Sequence, residues 1–252
     1  GDSIDQVGKL TTKAAQMKVP IDEAVRAALT FTHTFQDENP EQVLDTLNQM
    51  VIAKLAPNFT VAGDMMVRAF QNGANRGGDL LKAVGDNATA IADLGLDGPQ
   101  ALAFIKTGMD AGFKSADAVL AVLLKIKQNV ANAAGNADSD VSKTLKTLGI
   151  ANPAETGEAW SAEFFDSVID KIKTMPGLTD TEREQLFSNL AGGKQGGKVF
   201  SSFMEISAED ADGIFKNVAG AAERAAGEAD NSFSGAIDDF IKAAERYATE
   251  FL

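Results

Sequence analysis

The sequence contains no cysteine. That removes disulfides, zinc–thiolate sites, iron–sulfur clusters and thiol nucleophiles from its chemistry. It has one histidine, one tryptophan and one tyrosine, and aromatic residues make up only 7% of it. The core must therefore come from Ala, Leu, Ile, Val, Phe and Met, and small side chains suit close helix–helix packing. Positive charge is also scarce. Lys and Arg number 23 against 36 Asp and Glu, a net charge of −13. Nucleic-acid binding is disfavoured, because it needs cationic groups that displace counterions from phosphates. Docking on anionic membranes is disfavoured for the same reason. The longest apolar run, Ala118 to Leu124, falls short of the roughly 18 residues a membrane span needs. No stable membrane insertion is expected of this segment, and the first residues lack a signal-peptide pattern. A chain that opens on Gly1 reads as a piece of a longer protein.

What is present points to helices. The 252 residues, 44% of them apolar, allow one large domain or two small ones. Ile4, Val7, Leu10, Ala14 and Met17 fall on one helical face, with Asp5, Gln6, Lys9, Lys13 and Gln16 opposite. Ile21, Val25, Ala28, Leu29 and Phe35 suit a second helix, and the chain breaks at Asp37-Glu38-Asn39-Pro40. Asn39-Pro40 is a helix start in which Asn39 caps, Pro40 fits the first position and Gln42 can reach back. Asn152-Pro153 repeats the device, and Thr179-Asp180-Thr181-Glu182 is a capping box. Ser207-Ala208-Glu209-Asp210 is nearly one. Pro57-Asn58 and Pro99-Gln100 mark further boundaries. Leu94-Gly95-Leu96 and Leu148-Gly149-Ile150 have the form of left-handed glycine stops followed by an apolar contact.

These signals predict an all-α fold, a compact bundle of about eleven to thirteen short-to-medium helices with no sheet. No strict repeat supports a solenoid. The expected division is an N-terminal helical pair over 1–38, a helical core over 39–206 and C-terminal amphipathic helices over 207–252. On the last helix Ile237, Phe240, Ile241, Tyr247 and Phe251 share a stripe that needs a partner. That partner is expected to be the core or a second copy of the chain.

The search for chemistry yields no catalytic, cofactor-binding or metal-ligating residue. His33 sits between Phe31 and Phe35 without a nucleophile or acid at recognisable spacing, and reads as a packed or surface histidine. Gly192-Gly193-Lys194-Gln195-Gly196-Gly197-Lys198 has phosphate-loop spacing, but Val199 stands where a magnesium-holding Ser or Thr belongs. A helical pattern precedes it, where a phosphate loop follows a strand. The carboxylates Asp138/Asp140, Glu209/Asp210/Asp212 and Asp238/Asp239 lack the alternating ligands of a calcium loop. Acids also favour helix starts for electrostatic reasons.

One series of motifs has a recognisable order. It runs Phe70-Gln71-Asn72-Gly73-Ala74, Gly78-Asp79-Leu80-Leu81, Leu94-Gly95-Leu96, and then Gly108-Met109-Asp110-Ala111-Gly112-Phe113 with Asp117-Ala118-Val119. Leu148-Gly149-Ile150 and Leu186-Phe187 follow, and Ala221-Ala222 to Asn231 and Ile237 close it. The series, over roughly 42–252, resembles the helical core of phage tail tape-measure proteins. Ser188 departs from it, since the pattern has Gly after Leu-Phe, and the long flanking coiled-coil repeats of a whole tape measure are missing.

The resemblance implies a structural segment of a phage or prophage tail that acts in tail assembly and length determination. The implied partners are tail-tube and tail-tip or baseplate proteins and tail assembly chaperones. The implied location is the virion tail, and the host cytoplasm during assembly. No enzyme activity, cofactor or nucleic-acid contact is implied. Helical punctuation alone also fits a generic binding or scaffold domain of a bacterial surface or secretion system. A cell-wall hydrolase module would bring catalytic sets that are not visible in the sequence.

Overall fold

Most helices start where a side chain takes the first free backbone N–H groups, although the helix that follows Pro20 has no side-chain cap. A computed structural model of the protein describes residues 2–157, 160–193, 220–222 and 224. Among them are α1 (Asp2–Met17), α2 (Ile21–Thr34), α3 (Pro40–Ile52), α4 (Phe59–Gln71), α5 (Leu80–Asp93) and α6 (Gly98–Asp110). Then follow α7 (Ala116–Asn132), α8 (Asp140–Leu148), α9 (Pro153–Thr156), α10 (Ala162–Thr174) and α11 (Asp180–Ala191). No strand occurs among the described residues, so the all-α expectation holds.

The caps explain most of these boundaries. Asn39 Oδ1 accepts from the N–H groups of both Glu41 and Gln42. Asn58 takes that of Val61 and Asn152 that of Ala154. Reciprocal capping boxes form at Asp97/Gln100 and Thr179/Glu182, where each N3 side chain reaches back to the cap N–H. At the end of α8, Gly149 is left-handed at φ 67° and Ile150 N–H bonds back to Leu145 O at 3.0 Å. Only a residue without Cβ takes that conformation freely, which is why glycine stands at this stop.

The apolar stripes pack as their spacing requires. Val7, Leu10 and Ala14 of α1 are buried, as are Val25, Ala28 and Leu29 of α2. Helices α1, α2 and α3 contact one another, and α3 also packs on α5. Helix α4 contacts α2, α3 and α6, while α7 meets α5, α6, α8, α9 and α11. Helix α10 packs on α8 and α11. One hydrophobic cluster runs from Val7 to Ala222. Phe31, Phe35 and Phe70 form an aromatic triad within it, with ring centroids 4.8–5.0 Å apart.

Small side chains set the helix spacing. A Cβ on Gly108 of α6 would stand 2.4 Å from Val119 Cγ2 of α7, so these two helices meet at a glycine. Between α3 and α5, Thr46 is 2% exposed and donates its hydroxyl to Leu81 O at 3.0 Å.

Candidate functional site

The motif series defines the candidate site, because its residues converge on helix ends. In Gly77-Gly78-Asp79-Leu80-Leu81, the two leucines enter the core at 0% and 2% exposure. Asp79 precedes α5 and by sequence is its natural cap, yet it makes no cap bond to that helix. Instead Asn75 Oδ1 accepts from Leu80 N–H at 3.0 Å. Asp79 reaches across to α7, 37 residues on, where Oδ1 accepts from Ala116 N–H at 2.9 Å. Its Oδ2 accepts from Asp117 N–H at 3.1 Å. Ser115, the local cap of α7, adds a bond from Ala118 N–H at 3.1 Å. Three of the four orphan N–H groups of α7 are thus satisfied by two side chains from different segments.

Gly77 makes this clasp possible. A Cβ there would lie 2.5 Å from Lys114 O and 2.9 Å from Ser115 Cα. The backbone before α5 can touch the backbone before α7 only because nothing projects between them. Glu38 adjoins the same place, accepting from Asn75 Nδ2 at 3.4 Å. Burial pushes its carboxyl above the ordinary range, opposed by the Asn75 hydrogen bond and assisted by the charge of Asp37.

The other stops are closed in the same manner. Trp160 Nε1 donates to Leu94 O at 3.1 Å, and Lys127 Nζ to Asp93 O at 2.5 Å, so two remote donors finish α5. Asn129 Nδ2 donates to Leu190 O at 2.8 Å at the end of α11. Arg183 gathers the last carbonyls of α10, donating to Ile172, Lys173 and Met175, and then to Leu178. In α4, Asp64 is 2% exposed and accepts from Gly220 N–H and Ala222 N–H, each at 2.7 Å.

None of this is reactive geometry. His33 lies in the last turn of α2, half-buried. Asp138 and Asp140 flank the Ser139 cap of α8, and Asp140 belongs to its first turn. Gly192 caps α11 in the left-handed conformation, so the phosphate-like spacing begins at a helix end, not after a strand. Lys194 to Val199, Glu209/Asp210/Asp212, Asp238/Asp239, Ser207 and the stripe Ile237, Phe240, Ile241, Tyr247 and Phe251 lie outside the described residues. Among the described residues no cluster of metal-ligating side chains occurs, and no helix is long and apolar enough to cross a membrane. A cleft between Leu94, Leu96, Leu123, Trp160 and Phe165 encloses about 10 Å³, room for one water molecule.

Sequence reading placed Asp79 inside a motif but did not assign it to α7, and it missed Asp64 and Arg183. Asp64 did leave a signal: it is a lone acid within Val61-Ala62-Gly63-Asp64-Met65-Met66-Val67. A charge on the buried side of a helix must have partners.

Comparison with known proteins agrees with a tail component. The family model of the phage-related minor tail proteins matches residues 1–192. No curated protein and no solved structure matches the chain. The match starts ahead of the motif series and takes in α1 and α2. It ends one residue after α11, at the Gly192 cap. Membership points to a structural role in the virion tail, in contact with other tail proteins, and the chain belongs to the phage-related minor tail protein family.

Proposed function

We propose that the chain is a segment of a phage or prophage tail tape-measure protein, acting in tail assembly and length determination through protein–protein contacts. The observation that carries this reading is the order of the motifs within a minor tail protein. Gly78-Asp79-Leu80-Leu81, Leu94-Gly95-Leu96 and Leu148-Gly149-Ile150 follow one another in an order that resembles that of tape-measure proteins, and they lie within the stretch matched by the minor tail protein family. The partners are tail-tube and tail-tip or baseplate proteins, with assembly chaperones in the host cytoplasm. In this reading residues 1–38 are an N-terminal helical pair, 39–206 the tape-measure-like core, and 207–252 C-terminal amphipathic helices packed on the core or used in assembly. The helices fold back on one another, so this segment is a docking body and not itself the extended ruler. The acidic surface favours this role, since a chain of net charge −13 does not cling to DNA moving through the same lumen.

Sedimentation of the purified chain with the tail-tube, tail-tip and chaperone proteins of its own phage tests the reading. Co-migration with a tip or tube protein is expected. Independent migration in every mixture would contradict a docking role.

A further inference from the structure

Asp64 performs a task that neither the motif series nor the family match accounts for. It lies in the middle of α4, a position where a carboxylate has no helix end of its own to cap. Its side chain is 2% exposed, and both oxygens are engaged by backbone donors 156 and 158 residues away. Gly220 N–H meets Oδ2 and Ala222 N–H meets Oδ1, both at 2.7 Å. Gly220 is left-handed at φ +70°, and a helical turn starts there, with Arg224 N–H bonded to Gly220 O at 3.0 Å. Ala221 and Ala222 are themselves buried, at 4% and 6% exposure. The segment therefore offers the carboxylate two converging N–H groups and two methyls that fit against the body.

We propose that Asp64 is an intramolecular latch that seats the segment beginning at Gly220 on α4. The latch joins residues beyond the family-matched stretch 1–192 to that stretch, and it sets the place on the body from which the chain past residue 224 continues. The dependence is mutual. A buried carboxylate stripped of its two donors bears a desolvation cost, and a helical turn stripped of its acceptor has free N–H groups. Charge-assisted bonds of this length are the strong kind, so the latch outweighs the entropy of holding a short segment in place. The Asp79 clasp on α7 uses the same chemistry within the body. The Asp64 latch differs in its span, since it joins α4 to backbone donors 156 and 158 residues away.

Amide hydrogen exchange on the full chain tests the latch, read on a peptide spanning 219–225 and on peptides from α3, α5 and α7. Asp64→Asn keeps the shape but turns an amide N–H₂ toward one of the two donors. Gly220→Ala keeps Asp64 and strains the left-handed turn instead. Each variant is expected to speed exchange over 219–225 by about tenfold or more while the α3, α5 and α7 peptides keep their protection. The double variant is expected to add little, because both changes open one joint. Unchanged exchange over 219–225 in Gly220→Ala would overturn the proposal, even if Asp64→Asn unfolds the body. So would a wild-type 219–225 peptide that exchanges as fast as a free peptide.

Discussion

At the scale of single residues, the most exacting positions are those where one helix end depends on a side chain from elsewhere. Asp79 holds two N–H groups of α7. Its replacement by alanine leaves both to Ser115 or water. Asp79→Ala is expected to lose about 2 kcal/mol in urea unfolding, and Asp79→Asn clearly less, since one acceptor survives. A loss below about 0.5 kcal/mol for alanine, the size of an ordinary surface change, would contradict the clasp. Gly108 is the packing counterpart. Its absent Cβ would overlap both methyls of Val119, at 2.4 and 2.6 Å. Gly108→Ala is expected to cost about 1–3 kcal/mol by overpacking. Adding Val119→Ala makes room, so the double variant should be more stable than the sum of the two single losses. Strict additivity would mean that α6 and α7 do not meet there.

At the scale of elements, the helix starts were readable because capping is local. Asn39, Asn58, Asn152 and Thr179 bond to N–H groups two or three residues away, so a short window of sequence contains both partners. The Thr179/Glu182 box has a consequence for pH. The backbone N–H of Thr179, with help from its hydroxyl, holds the Glu182 carboxyl below the ordinary range. Glu163 is lowered in the same way, by a backbone N–H first and then by Ser161. A carboxyl depressed in the fold adds stability that is complete above its unfolded value, near 4.3, and is lost as pH falls through the lower folded value. Glu182→Gln should therefore flatten the acid limb of the melting-temperature curve. Parallel acid limbs for variant and wild type would count against the box.

The element pairings were not readable in the same way. Asn75, not Asp79, caps α5, and Asp79 serves a helix 37 residues later. Nothing in the local sequence specifies such a partner, because the bond exists only once α5 and α7 are packed. Arg183 is the same case. By sequence it is a charge on the first turn of α11, whereas in the fold it closes α10. The lone acid in the apolar stretch of α4 did announce a buried partner, but not which one. The site as a set of motifs was thus visible, and its function as a set of remote caps was not.

At the scale of the whole molecule, these caps hold the helices folded back on one another. A continuous helix gains about 1.5 Å of length per residue, whereas a globule of this size has a radius of gyration near 18 Å. Small-angle scattering of the chain should give a value near the globular one, and a rod-like profile would contradict a docking body. A protein that sets tail length is tested by the length of tails in electron micrographs. The phage's copy of the protein would carry an in-frame helical insertion outside the body formed by α1 to α11. Tails longer by about 1.5 Å per inserted residue are the expected result. Tails of unchanged length, in particles that still contain the lengthened protein, would contradict the tape-measure role.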